Sequence, residues 1–266
     1  MTFTEHRHTN GVAFTTAPVI AARHAFTTRI GGVSTGYLAG LNLSATHDAP
    51  ENVKENFRLL GEATGIDVNR MAFTKQVHGS AVRTASFADV HTLCTDVPYE
   101  ADGLVTAERG LALICFAADC IPVLLCDEKN GVIAAVHCGW RSSVADILGE
   151  AAGKMRALGA SPESTAAAIG PAISYCCFEV GEEVVAAAEK LLGGDLSGLC
   201  RAEEGKAGKY RLDLKGVNRR RLLQLGLREE NIAVSDECTM CLPERYWSHR
   251  ATGGKRGLQG ALIVLD

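Results

Sequence analysis

Between residues 117 and 143 the chain reads AADCIPVLLCDEKNGVIAAVHCGWRSS, two apolar runs on either side of Asn130-Gly131 with Cys120 before the first and His137 near the end of the second. Asn-Gly between apolar runs is a strong hairpin signal, and a tight or four-residue loop pairs such strands antiparallel with position sums of about 259 to 261. Cys120 then falls opposite Gly139 to Arg141, and His137 opposite Pro122 to Leu124. Thiol and imidazole arrive at the open end of the hairpin, within about 7–8 Å or slightly more of each other. Pro122 cannot donate to a ladder and is expected to bend the chain after Cys120. Beyond Gly139-Trp140, Ser142 or Ser143 is expected to N-cap a helix, with Asp146 in capping-box position. That arrangement would turn free N–H groups and Arg141 toward an anion.

A thiolate and an imidazole are zinc ligands, and a catalytic zinc keeps three protein ligands with one position open. His78, in KQVHGS, is the best third ligand, because it ends a strand-like run before a glycine. His249 in YWSHR is a rival, and the remaining histidines lie in polar contexts. Each residue alone has a plainer reading, a core thiol or a hydrogen-bonded imidazole; their convergence is the argument for a site. Two His and one Cys also suit blue copper, but Met1, Met71, Met155 and Met240 stand in none of the ligand motifs, so zinc is preferred over copper. A metal-free hydrolase with Cys120 as nucleophile and His137 as base, and a non-enzymatic metal- or nucleotide-binding protein, are further alternatives. Asp119 could orient a ligand, act in acid-base chemistry or serve a turn. Cys238-Thr-Met-Cys241 has metal-ligand spacing, yet with no second pair nearby in sequence it reads as structural, and Cys176-Cys177 cannot both face one pocket if extended.

The positioning elements follow from periodicity. RIGGVSTGYLAG, residues 29 to 40, is too glycine-rich for an element interior and forms an ordered loop. Asp48 and Pro50 open a helix carrying Val53, Phe57 and Leu60, and a strand is expected through AFTKQVHGSAV. Leu111 to Ala117 is a buried strand, and Val144, Ile147, Leu148, Ala151, Met155 and Leu158 mark a helix face. Further helices are expected at GEEVVAAAEKLLGG and LKGVNRRRLLQLG, and strands at STAAAIGPAIS, NIAVSD and GALIVL. Residues 195 to 210 are weakly patterned and expected to be a mobile surface loop. Strands and helices intermix without repeat or linker, which reads as one α+β domain over residues 1–266.

Bulk composition narrows the partners. With 266 residues, 47% of them apolar, a net charge of −4 and a pI near 6.1, the chain has a sizeable core and no basic field for nucleic acid or anionic membrane. The single basic run, Arg219-Arg220-Arg221, looks like a solvated helix face. The start has no apolar signal region, no stretch approaches a membrane span, and the ten cysteines sit mostly in apolar segments, so reduced thiols and a cytoplasmic location are expected.

KQVHG at 75 to 79, ADGLVT at 101 to 106, AADCIPVLL at 117 to 125, AAVHCGWR at 134 to 141 and AIGPAIS at 168 to 174 together resemble the YfiH/YlmD-type purine nucleoside phosphorylases, formerly called laccase-domain or polyphenol oxidase proteins. TTRIGGVSTG and GLNLS also fit, and the match spans nearly the whole chain. The resemblance implies a mixed β-sandwich with flanking helices and one zinc held by His78, Cys120 and His137. It implies phosphorolysis of adenosine, inosine, guanosine and methylthioadenosine, with deamination of adenosine. A Cys-His-His zinc can supply hydroxide near pH 7 for attack at C6 of adenine. Arg29 and Arg141 would cradle phosphate, Asn42 and Gln76 would hydrogen-bond base or ribose, and the protein would be a monomer or weak homo-oligomer. The resemblance also admits copper-dependent phenol oxidation, or amide hydrolysis editing peptidoglycan precursors. YWSHRATGGKRG departs from the family's usual run, in which an aromatic follows the serine and a Thr-Gly-Arg comes later, and reads only as a pocket wall.

Overall fold

Alternating burial builds the core. Along Ala112–Ala117, Ala112 and Ile114 face one side and Leu113 and Cys115 the other, and both sides are covered. The computed structural model describes residues 2–266 and places most strands in two six-stranded sheets. In spatial order the first contains β1 (Thr4–Arg7), β2 (Ala13–Thr16), β3 (Arg23–Thr27), β15 (Gln259–Val264), β7 (Ala112–Ala117) and β4 (Met71–Ala72). The second contains β14 (Ile232–Val234), β10 (Ala166–Ile169), β8 (Ile121–Asp127), β9 (Val132–Cys138), β6 (Gly103–Thr106) and β5 (Val82–Thr84). A small third sheet joins β11 (Glu179–Gly181), β13 (Lys209–Leu212) and β12 (Cys200–Ala202).

The two large sheets pack face to face. Phe26, Leu113, Cys115 and Ile263 of the first meet Leu104, Leu124, Ile133 and Ala168 of the second. The outer face of the first sheet is covered by α1 (Pro50–Thr64) through Val53, Phe57 and Leu60. The outer face of the second is covered by α3 (Ile147–Ala157) and α5 (Leu214–Gln224), with α4 (Glu182–Leu192) packed on α5 and the small third sheet. This is a mixed β-sandwich flanked by helices, as the resemblance implied. Each fully buried Leu, Ile or Val contributes about 1.5–3 kcal/mol relative to exposure, and all seven residues of β8 and of β9 are buried.

The hairpin takes the register at the low end of the expected range, with Ile121 opposite Cys138 and Pro122 opposite His137. Its loop closes on Asp127, whose carboxylate accepts from the Asn130 backbone and side chain, and Gly131 supplies a φ of 67°. Other expectations change. KQVHGS is a loop: strands form only at Met71–Ala72 and Val82–Thr84, and between them Lys75 makes one isolated bridge to Glu100. Residues 195 to 210 are not an unpatterned loop: β12 and β13 form an antiparallel pair, backed by Arg211 on the Glu203 carboxylate. Neither Ser142 nor Ser143 caps a helix; both are buried inside a short α2 (Trp140–Val144) whose N-cap is Gly139. Asp146 instead caps α3 from a left-handed conformation, its side chain accepting from Gly149 N–H. The Arg219 to Arg221 face is tied down, with Arg221 bidentate on Asp146 and Arg219 on Glu229.

Candidate metal centre

β7 and β8 are consecutive in the chain but lie in different sheets, so residues 118 to 120 form a corner between them. Asp119 makes that corner with a φ of 82°, and Cys120 leaves it pointing into the end of the sandwich. β4 and β5 likewise belong to different sheets, and their connection carries His78, also left-handed at φ 59°. His137 ends β9 at the same edge. Two crossovers and one strand end thus bring His78, Cys120 and His137 together, their ligand atoms within 4.8 Å of one another. The two imidazoles lie edge to face with ring centroids 4.9 Å apart.

One residue organises the set, and sequence reasoning missed it. Asp102, buried just before β6, accepts from His137 Nδ1 at 2.8 Å and from the backbone N–H of His78 at 2.9 Å with one oxygen. Its other oxygen accepts from Val77 N–H at 3.1 Å and Gly79 N–H at 2.8 Å. The carboxylate therefore folds the KQVHGS loop around itself and orients His137 with Nε2 toward the thiol, the usual support for a metal-bound imidazole. Its signal was the Asp of ADGLVT, a carboxylate at the mouth of a buried strand.

The charges are arranged for a cation. Burial alone would push the Cys120 thiol up, but His137 and His78 outweigh it and bring it down to about 6. Burial alone would pull His137 down, but Asp102 and Cys120 raise it to about 9. Each shift favours the charged form of its group, a thiolate against an imidazolium, and a metal ion would take the place of the imidazolium proton. One thiolate and two imidazoles with room beside them fit a single borderline-soft ion such as zinc. Among the described residues the only other close group of metal-ligating side chains contains four cysteines and no histidine, so nothing here assembles a multi-histidine copper cluster.

Gly139 shows how closely the backbone approaches. A Cβ there would lie 3.0 Å from His78 Cδ2 and 3.3 Å from Cys120 Sγ. Its φ of −65° suits any residue, so Gly139→Ala strains the site rather than the chain. The variant is expected to melt like the parent and to bind metal about 10- to 100-fold more weakly in a chelator competition, the scale of losses around metal ligands. Unchanged affinity would mean that the ligands do not converge where the Cβ would intrude.

The three residues border a cavity of about 330 Å³, within the range of small-molecule sites. Its walls include Phe73 and Phe116, the aliphatic Val53 and Leu258, the hydroxyls of Thr46, Thr74 and Thr95, and Arg256. The Nε of Arg256 is buried and has no hydrogen-bond partner, and burial holds the guanidinium below its usual range. Arg256 lies in the divergent segment 246 to 257, so sequence comparison passed over it.

The other expected site residues fall elsewhere. Gln76 lines the cavity, but its amide is used in a two-bond pairing with the Phe116 backbone. Asn42 is fully buried behind the wall, bonded to Asp48, Ser44 and Leu258. Arg29 stacks 3.8 Å over Trp247 and donates to the carbonyls of Pro243 and Ala39. Arg141 is exposed and stacks on Trp140, outside the cavity lining, because α2 begins at Gly139 and turns it outward. The Asp119 carboxylate accepts from Thr239 Oγ1 at 2.7 Å and Arg250 N–H at 2.6 Å, which makes it a brace for the Cys120 corner. His249, the rival ligand, begins the short helix α6 (His249–Thr252) and is not in the cluster. The CxxC at 238 to 241 does have a second pair nearby: Cys176 and Cys177 lie in a turn, not extended, and all four thiols gather.

Comparison with known proteins identifies the family. The family described as multi-copper polyphenol oxidoreductase laccase matches residues 23–266. A purine nucleoside phosphorylase of Deinococcus radiodurans is 38% identical over 255 residues, covering 96% of this chain and 94% of the relative. A protein of an unknown prokaryotic organism named as an adenosine deaminase is 31% identical over 199 residues, covering 73% of this chain and 74% of its own. The crystal structure of YlmD from Geobacillus stearothermophilus superposes with a TM-score of 0.89 at 31% identity, covering 98% of each chain. Sequence and fold therefore agree that this chain belongs to the laccase-type family of YlmD and YfiH, the family of these purine nucleoside phosphorylases.

Proposed function

We propose that this chain is a zinc-dependent enzyme that phosphorolyses purine nucleosides, including adenosine, inosine, guanosine and methylthioadenosine, and also deaminates adenosine. The proposal takes residues 1–266 as a single domain acting in the cytoplasm without nucleic acid or membrane, as a monomer or weak oligomer. No helix among the described residues is long and apolar enough to cross a membrane. The observation that carries the reading is one cavity with a His78, Cys120 and His137 ligand set at one end and an unpartnered guanidinium, Arg256, in its wall. The names of the relatives support it.

A zinc ion held by His78, Cys120 and His137 supplies Lewis acidity and a route to activated water near neutral pH. The chain's own residues do the rest. Arg256 binds the phosphate oxygens and holds the anion against C1′ of the ribose. A bond forms from a phosphate oxygen to C1′ as the glycosidic bond to the purine breaks, and the departing purine nitrogen takes up the proton that the attacking dihydrogen phosphate gives up. Phe116 and Phe73 offer faces for the purine, and Val53 and Leu258 offer apolar wall for a methylthio group. In this reading Asp102, Asp119 and Gln76 act as positioning residues.

Adenosine, inosine, guanosine and methylthioadenosine incubated with and without phosphate, with free base, ribose phosphate and deaminated nucleoside separated, test the reading directly. Phosphate-dependent release of base supports it; oxygen consumption with phenols and no nucleoside turnover would replace it with the oxidase. Arg256→Ala is expected to raise the KM for phosphate about 10- to 100-fold, the loss of one or two charge-assisted hydrogen bonds, with a smaller effect on nucleoside KM. An unchanged phosphate KM would move the anion site elsewhere.

A further inference from the structure

Outside the cavity, two loops bring four cysteines to one point. Cys176 and Cys177 lie in the turn after Ile173, and Cys238 and Cys241 in the segment after β14. All four Sγ atoms are within 4.8 Å of one another. Cys241 Sγ stands 3.4 Å from Cys177 Sγ and 3.6 Å from Cys176 Sγ. Four sulfurs on a tetrahedral zinc, with Zn–S near 2.3 Å, are about 3.8 Å apart. Cys241 is thus nearly equidistant from two partners and selects neither as a disulfide mate, for which about 2.05 Å is needed. The Cys238 sulfur also accepts the Ser174 N–H at 3.4 Å, an N–H to sulfur contact that favours a thiolate. Two cations flank the cluster: Arg211 donates to the Cys176 carbonyl at 3.1 Å, and buried Lys215 donates to the carbonyls of Ser235 and Glu237 at 2.9 and 2.8 Å. Arg211 is already paired with the Glu203 carboxylate, so Lys215 is the cation left to offset the net negative charge that four thiolates leave on a divalent ion.

We propose that Cys176, Cys177, Cys238 and Cys241 form a second, structural zinc site, a closed tetrathiolate that is distinct from the centre in the cavity. The four thiols give up their protons as the ion binds, and no oxidant is needed. The site joins two loops that also brace the first centre. Ala172 bridges to Cys238, Thr239 N–H donates to the Ala172 carbonyl, and Thr239 Oγ1 holds the Asp119 carboxylate beside Cys120. A zinc here would hold the Asp119 corner from behind.

The inference does not depend on the catalytic reading, and its test counts metal rather than turnover. Protein purified without chelator is expected to carry about two zinc ions per chain, and the His78→Ala, Cys120→Ala, His137→Ala triple variant about one. Adding Cys176→Ser and Cys241→Ser, both at exposed positions, is expected to remove the remaining ion. Cobalt substituted into the triple variant should give the intense visible ligand-field bands and near-ultraviolet thiolate-to-cobalt charge-transfer bands of a tetrathiolate centre, a readout that does not require the cysteine variants to fold. A triple variant that holds no zinc as purified or after anaerobic loading would overturn the proposal. So would iron with inorganic sulfide in place of zinc, or a disulfide from Cys241 to Cys176 or Cys177 in freshly purified protein.

Discussion

Replacing any one of His78, Cys120 or His137 with alanine is expected to cost one zinc ion per chain and nearly all turnover while leaving the fold intact. Zinc affinity of about 10–16 kcal/mol spread over three or four ligands puts each ligand near 3–4 kcal/mol, a loss on the order of 10²–10³-fold in affinity. Cys120 should be the most costly, because its sulfur carries the negative charge of the set. Metal analysis after dialysis against a weak chelator, with circular dichroism to confirm folding, decides the matter. Full occupancy in all three variants would remove the site from consideration, and lost metal with full nucleoside turnover would separate the ion from the chemistry.

Asp102→Asn is the second large effect, although Asp102 is not a ligand. The carboxylate accepts four hydrogen bonds, two at each oxygen, from three consecutive backbone N–H groups and His137 Nδ1. An amide offers one acceptor oxygen, so either His137 and the His78 N–H, or the Val77 and Gly79 N–H groups, must face an NH₂. Two buried donors left without acceptors cost about 1–3 kcal/mol each. Either arrangement loosens the loop that carries His78 or the His137 imidazole itself, so zinc affinity is expected to fall by about 10- to 100-fold, the scale usual for a supporting residue. Chelator competition and thermal melting read the two consequences separately. If Asp102→Asn binds zinc as tightly as the parent, the four-bond arrangement does not hold the site.

Much of the candidate centre was legible in the sequence because it depends on local rules. Asn130-Gly131 between two apolar runs dictates a hairpin, and the hairpin register sends Cys120 and His137 to one end whatever surrounds them. A continuous apolar run likewise marked β7, and helical spacing marked α1 and α3, each of which is buried against a core. Pattern failed where a partner distant in the chain decides the conformation. KQVHGS reads as a strand, yet its N–H groups turn onto Asp102, 24 residues from His78. Ser142 reads as an N-cap, yet α2 is capped three residues earlier by Gly139, where His78 and Cys120 approach too closely for a side chain to fit without displacing them. Arg141 looked like the anion residue from its place in the motif, whereas Arg256, 136 residues beyond Cys120, is the guanidinium in the cavity wall. The four-cysteine cluster is the clearest case. Cys176 and Cys241 are 65 residues apart, and the pairing of β10 with β14, continued by the bridge between Ala172 and Cys238, sets their loops side by side. Spacing along one segment determines which side chains share a strand end or a helix face; which ends meet is decided by sheet closure and by buried groups that must find partners across the fold.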